Sequence, residues 1–330
     1  MSKLDPKFSK VQLLEIDENH HNQRIDNYLI TLLKRVPKSH IYKLCRKGEV
    51  RVNKKRIKPD YRLQDGDIVR LAPVKVDERK VSPIATAGLF MKDQIIDSIL
   101  YQDDHILVIN KPSGLAVHGG SGISLGLIES LRQIFPEQRY LELVHRLDRD
   151  TSGVVLLAKK RSALTYLHEC FRAKKVNKQY WCLVKGSWPN RISLVDAPLK
   201  KNDLQGGERI VVVDPEGKSS QTRFRIVKKY EGYTWVEASP ITGRTHQIRV
   251  HCASQNHPII GDSKYCDEVD NKKGRKVGVK RLYLHAASLR FPHPDTREPM
   301  EIKAPLDKKL VQVLNELPEK EALNVKGRRR

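Results

Sequence analysis

Six consecutive positions, His145 to Asp150, hold an imidazole, two guanidiniums and two carboxylates. Thr151-Ser152-Gly153 follows, and then an apolar run, Val154-Val155-Leu156-Leu157-Ala158. A carboxylate in such company can act as a nucleophile or a base, or can stabilise a developing cation; a nearby arginine keeps it ionised when water is withdrawn. Polar residues this dense against a buried strand mark a loop at the edge of a core, where rigid scaffolds carry catalytic groups. By composition alone, a surface turn with local ion pairs fits as well.

A second constellation is Thr242-Gly243-Arg244-Thr245-His246-Gln247-Ile248-Arg249-Val250-His251. Thr245 is placed to cap a helix with Ile248 and Cys252 facing inward, and Arg249 then lies in its first turns, one turn on from Thr245. His246 and His251 are five apart and miss the i, i+4 face that metal-binding helices use, so no metal site is expected. No serine stands in a strained elbow beside a His–Asp pair, which argues against a hydrolase triad. The loop Lys111-Pro112-Ser113-Gly114, with Val117-His118-Gly119-Gly120 after it, lacks the G-K-[ST] of a phosphate-binding loop.

The elements that must position these residues are mostly strands. Ile99-Leu100-Tyr101, a turn at Asp103-Asp104 and Ile106 to Ile109 read as a hairpin; Tyr180 to Val184 reads as a strand led in by Asn177-Lys178-Gln179. Further strands are expected over 209–213, 220–228, 233–239 and 281–291, with helices over 125–135, around Leu164, Leu167 and Phe171, and over 305–317. Many strands joined by short turns, with few helices between, predict an α+β fold with a central, mainly antiparallel mixed sheet flanked by helices.

The front of the chain differs. Ile25, Tyr28, Leu29, Leu32 and Leu33 line one helix face, stopped by Pro37. Ser39 is the expected cap of a second helix with Ile41, Leu44 and Cys45 inward, ended at Gly48. Strands at Val50 to Asn53 and, after the turn at Asp65-Gly66, at Ile68 to Leu71 complete a small helix–helix–hairpin unit. Residues 22–76 carry fifteen Lys/Arg against five Asp/Glu, nearly half of the chain's net +23. A compact unit with that excess, outward at Lys43, Arg46, Lys54, Lys55 and Arg56, fits contact with a nucleic-acid backbone. The organisation read from this is a tail over 1–20, the basic unit over 21–76, a linker over 77–97, the main domain over 98–318 and a basic tail over 319–330. The five scattered cysteines suit reduced thiols, and no signal-length or membrane-length apolar segment occurs, so a soluble, cytoplasmic protein is expected.

Ser39-His40-Ile41-Tyr42-Lys43-Leu44-Cys45-Arg46-Lys47-Gly48-Glu49-Val50-Arg51-Val52-Asn53 resembles the helix-to-hairpin core of the S4 RNA-binding domain. His145-Arg146-Leu147-Asp148-Arg149-Asp150-Thr151-Ser152-Gly153 is similar to the catalytic motif of the pseudouridine synthases acting on ribosomal and transfer RNA. Asn110-Lys111-Pro112-Ser113-Gly114, Lys178-Gln179-Tyr180, Gly243 to His251 and Leu284-His285-Ala286 match the same family. The resemblance spans roughly residues 20 to 318. It implies isomerisation of specific uridines to pseudouridine in large-subunit (23S) ribosomal RNA or its precursor, no metal or organic cofactor, no membrane, and a monomer.

It also implies roles. Asp148 is the catalytic aspartate, Tyr180 lies against the target base, and Arg249 is the ionic partner of Asp148, with Arg244 the alternative. Arg146 and Arg244 hold phosphate or shape the loop; Asp150 receives no role. The chemistry breaks N1–C1′, rotates the uracil and joins C5 to C1′, so the base must first be flipped out at a cost of a few kcal/mol. An aromatic ring stacked on it recovers about 1–3 kcal/mol. The Tyr180 hydroxyl could also relay a proton if a neighbour lowered its pKa from about 10. An RNA N-glycosylase would use the same carboxylate but release the base, and a non-catalytic RNA-binding or ribosome-assembly protein would need only the basic unit.

Overall fold

The computed structural model describes residues 8, 10–33, 36–74, 86–119, 126–203 and 209–320. They form two compact units whose main boundary falls between Phe90 and Met91.

The first unit is built from β1 (Gln12–Glu15), α1 (Ile25–Leu32), α2 (Lys38–Lys47), β2 (Val50–Val52), β3 (Lys55–Arg56) and β4 (Ile68–Leu71). Its strands form an antiparallel sheet in the order β1-β4-β2-β3. The apolar stripes of both helices close on that sheet, with Ile25, Leu29, Ile41 and Leu44 packed against Val50, Val52 and Val69. Gly48 ends α2 in the left-handed region at φ 72°, as its lack of a Cβ favours. Three expectations change here. The helix starts at Lys38 behind Pro37, whose fixed φ suits that entry, so Ser39 is not its cap. The first helix ends at Leu32, before Pro37. The tail expected over 1–20 contains β1, which pairs with β4, and its neighbour Ile16 is buried in the core.

The helix α3 (Thr86–Asp97) runs across the boundary between Phe90 and Met91 and takes the latter half of the stretch read as a linker. Ile95 explains the difference, because it is buried against Leu107 and Ile109. Residues 77–85 of that stretch lie outside the described residues. There follow β5 (Ile99–Gln102), β6 (Ile106–Lys111), α4 (Leu127–Ile134), β7 (Glu142–Leu143), β8 (Ser152–Ala158) and α5 (Arg161–Arg172). Then come β9 (Asn177–Lys185), β10 (Leu194–Asp196), β11 (Leu199–Asp203), β12 (Arg209–Val213), β13 (Gln221–Tyr230) and β14 (Tyr233–Pro240). The chain finishes with α6 (Gln247–Ser254), α7 (Glu268–Lys276), β15 (Leu284–Pro292), β16 (Pro299–Lys303) and α8 (Lys308–Glu316). Of the expected basic tail, Glu319 bridges to Tyr230, and 321–330 lie outside the described residues.

Ten of these strands make one sheet, ordered β10-β13-β14-β9-β15-β8-β6-β5, with β16 beside β15 and β7 beside β8. Every pairing in it is antiparallel except β8 with β15. That single parallel contact joins Ser152 and Gly153 to His285 and Ala286. It brings the start of β8, and so the polar loop before it, to the middle of the sheet. Gly153 makes the approach possible: its φ is +111°, and a Cβ there would sit 2.2 Å from the Ala286 carbonyl oxygen.

Candidate active site

All seven residues of β8 are buried, so the polar run must end where the strand begins. The loop ahead of β8 is held through its backbone. The Thr151 amide donates to the Asp148 carbonyl at 3.2 Å, and the Gly114 amide to the Arg149 carbonyl at 2.9 Å. Lys111, fully buried at the end of β6, donates its ammonium to the carbonyls of Pro112, Leu115 and Arg149 at 2.8–2.9 Å. Burial brings the Lys111 pKa down to about 7, against the pull of Asp150 and Asp148. The Ser113 hydroxyl donates to the Asp150 carbonyl at 2.6 Å. The resemblance brought out the Lys-Pro-Ser-Gly segment without a reason; its polar groups supply the hydrogen bonds that the loop's carbonyls require.

Histidines lock the loop's ends. His145 accepts the Leu156 amide on Nε2 at 3.1 Å and stacks on Phe171; burial, with Lys178 nearby, lowers its pKa to about 4. Ser152 donates to Nδ1 of His285, whose Nε2 donates to the Ala304 carbonyl.

This framing leaves the Asp148 carboxylate 30% exposed, on the wall of a cavity of about 540 Å³. Tyr180 and Lys178 of β9 line the same cavity, with Arg146, Arg244, His246 and Arg249. Asp150 does not line it; it pairs with Arg149 at 3.1 Å on the exposed side of the loop. Arg146 and Arg244 are exposed, and Arg244 donates to the Ser219 carbonyl at 3.2 Å. Lys43, Arg46, Lys54, Lys55 and Arg56 belong to the first unit, where all are exposed. Lys54 sits in the left-handed two-residue turn, with Asn53, between β2 and β3.

The second constellation enters through α6. The helix begins at Gln247 behind His246, whose φ of 53° is left-handed, so Thr245 does not cap it. The buried Gln247 side chain instead ties down the turn before the helix, accepting from the Arg244 amide and the Thr242 hydroxyl. Arg249, on the first turn, has Nη1 3.6 Å from the Asp148 carboxylate, whereas Arg244 turns to the Ser219 carbonyl. The strongest partner of Arg249, however, is Asp262. Nε and Nη2 each meet an Asp262 oxygen at 2.7 Å, and both side chains are buried. Asp262 also accepts the amides of Lys264 and Tyr265, and the Tyr265 ring lies under the guanidinium at 5.1 Å. Neither Asp262 nor Tyr265 was singled out from the sequence. Their one signal was a Gly-Asp turn closing an apolar run, Ile259-Ile260-Gly261-Asp262.

Tyr180 contradicts one expectation. Burial and the charge of Asp148 both raise its hydroxyl pKa above the ordinary tyrosine value, so it stays protonated at neutral pH and is no relay poised by its neighbours. Its ring remains half-buried on the cavity wall.

Comparison with known proteins agrees with this architecture. The model of the RNA pseudouridylate synthase family matches residues 105–254, and that of the S4 domain matches residues 23–69. The chain is 55% identical over 314 residues to the ribosomal large subunit pseudouridine synthase C of Pasteurella multocida, covering 95% of this chain and 96% of that one. It is likewise 55% identical over 309 residues to the protein of that name in Escherichia coli K12, covering 93% and 97%. The solved structure of human RNA pseudouridylate synthase domain containing 4 superposes with a TM-score of 0.58 at 27% identity, over 71% of this chain and 99% of that one.

Proposed function

The chain belongs to the RNA pseudouridylate synthase family, and on that premise we propose that it isomerises specific uridines of large-subunit (23S) ribosomal RNA, with Asp148 as the essential carboxylate. The observation that carries this reading is the Asp148 carboxylate on a cavity wall, 3.6 Å from a buried arginine and sharing that wall with an aromatic ring. A flipped uridine entering the cavity meets each group in turn. The Tyr180 ring offers a stacking face for the uracil. Asp148, with the Arg249 guanidinium 3.6 Å away, opposes the positive charge that grows at C1′ as N1–C1′ breaks. The exposed Arg146 and Arg244 lie at the rim, where phosphates on either side of the target would pass. The S4 domain adds a basic hairpin, with Lys43 and Arg46 on its helix and Lys54, Lys55 and Arg56 on its turn and strand, as a second grip on structured RNA. No helix among the described residues is long and apolar enough to cross a membrane; a ribosomal RNA substrate supports a cytoplasmic site of action.

The test is Asp148→Ala. Carbodiimide-dependent stops mapped on large-subunit RNA should vanish when this variant replaces the wild type, while RNA affinity stays within a few-fold. Full modification by the variant would sink the assignment. Free uracil among the wild-type products would replace isomerisation with glycosidic cleavage.

A further inference from the structure

His246 lines the cavity beside Asp148, and its two ring nitrogens meet different neighbours. Its backbone is left-handed, which a residue with a Cβ keeps only where surrounding structure enforces it. Nδ1 lies 2.8 Å from the Tyr265 hydroxyl. That hydroxyl already accepts the Val211 amide at 2.9 Å, and the assignment that gives its own proton an acceptor among these bonds directs it to Nδ1. The hydroxyl therefore donates to Nδ1, and the imidazole carries its proton on Nε2. Burial, partly opposed by Asp148, lowers the pKa of His246, which favours the same neutral ring.

Nε2 is 3.9 Å from Asp148 Oδ2, too far for a hydrogen bond, and no other acceptor among the described residues engages it. A neutral N–H donor thus points into the cavity within one atom's reach of the carboxylate that works at C1′. In uridine, the acceptor beside the N1–C1′ bond is O2 of the uracil. As that bond breaks, its electron pair passes to N1 and spreads onto O2. A donor at O2 holds this charge without transferring a proton.

We propose that His246 is a catalytic residue whose Nε2–H donates to O2 of the flipped uracil and stabilises the uracil anion formed on N1–C1′ cleavage, with Tyr265 as the positioning residue that fixes its tautomer. The inference rests on the pseudouridine synthase reading above.

The test pairs variants with altered substrates. RNA fragments carrying a mapped target uridine, or 2-thiouridine or 4-thiouridine in its place, are followed in single turnovers at saturating enzyme. H246F should slow the uridine reaction about 10- to 100-fold, with RNA affinity within about twofold of wild type. H246Q, which retains an N–H donor, should recover most of the rate, and the two variants share the backbone strain. Because sulfur accepts hydrogen bonds poorly, the gap between wild type and H246F should shrink towards one on 2-thiouridine and persist on 4-thiouridine. Y265F keeps the ring and leaves His246 in place; it should give the same substrate pattern at roughly three- to tenfold amplitude, and it decides the matter if H246F melts below the assay temperature. H246F at the wild-type rate, or a gap unchanged on 2-thiouridine, overturns the proposal. Wild-type protein inert on natural uridine would instead overturn the functional reading beneath it.

Discussion

Replacing Asp262 with asparagine separates the architectural duty of Arg249 from its proposed chemical one. The side chains of this pair are 4% and 0% exposed and meet through two bonds of 2.7 Å. Opposite charges about 4 Å apart attract by ~4 kcal/mol at an effective dielectric near 20. Removing one partner of such a pair also strands the other without solvent, a loss of about 3–5 kcal/mol. The amide side chain introduced by D262N still offers a carbonyl oxygen to the Lys264 and Tyr265 amides, so the cost falls on the arginine alone. For a unit of this size it corresponds to roughly 6–20 °C in thermal midpoint. In D262N, Asp148 at 3.6 Å becomes the nearest carboxylate left to Arg249. The guanidinium should turn onto it, and modification should fall with stability. R249M/D262N removes both charges and should regain most of the lost stability, because no stranded cation remains. It should not regain modification, because the guanidinium beside Asp148 is gone. Urea unfolding of the wild type, both single variants and the double variant, with single-turnover modification beside it, gives both cycles. A double variant as unstable as D262N, or one that modifies RNA at the wild-type rate, would refute the reasoning.

Other perturbations test the frame. His285 is buried and neutral, its pKa lowered to about 4 by burial despite the bond to Ala304. An unfolded histidine takes up its proton near 6.5, so the stability this residue contributes is complete above about pH 6.5 and is lost as pH falls through about 4. That loss is worth ~3 kcal/mol, and urea midpoints against pH should show a shallower acid limb in H285Q. G153A forces a Cβ to 2.2 Å from the Ala286 carbonyl at a φ of +111°; it should cost more than about 2 kcal/mol and abolish modification, read by melting and by carbodiimide mapping. Charge reversal of Lys54, Lys55 and Arg56 together should weaken RNA binding at least roughly tenfold and flatten its salt dependence, with the rate at saturating RNA unchanged. Equal affinity after that reversal would remove the S4 domain from the RNA contact.

Elements whose pattern is local were legible in the sequence. The buried run of β8, the hairpin of β5 and β6, and the paired helices and strands of the S4 domain follow from periodicity, turns and the glycine at 48. What escaped depends on partners far along the chain. The strand β1 alternates weakly, with Leu13 70% exposed, and is fixed by its pairing with β4 more than fifty residues later. Thr245 had the chemistry of a cap, but the left-handed His246 stands between it and the helix, which begins only at Gln247. Composition and charge gave no sign that residues 86–97 would be anchored by one isoleucine, Ile95, in the core of the second unit.

The carboxylate proposed as catalytic shows why the motif needed its distant half. From the sequence, Arg249 could pair with any acidic residue, and the expected choice was Asp148. The structure gives the arginine two carboxylates of different standing. Asp262, fully buried, takes both short bonds and two backbone amides, so its lone pairs are occupied. Asp148 is held instead by its backbone carbonyl, while among the described residues its carboxylate accepts no hydrogen bond; the Arg249 guanidinium stands at 3.6 Å and the neutral His246 ring at 3.9 Å. A carboxylate saturated by donors is a poor nucleophile and a poor base, because each donor must be given up as a new bond forms. One that faces a guanidinium without being bonded to it stays unencumbered and can react. Asp262 therefore does for Arg249 what Lys111 does for the loop: each fixes its neighbour through bonds that leave the side chain of Asp148 open to the cavity.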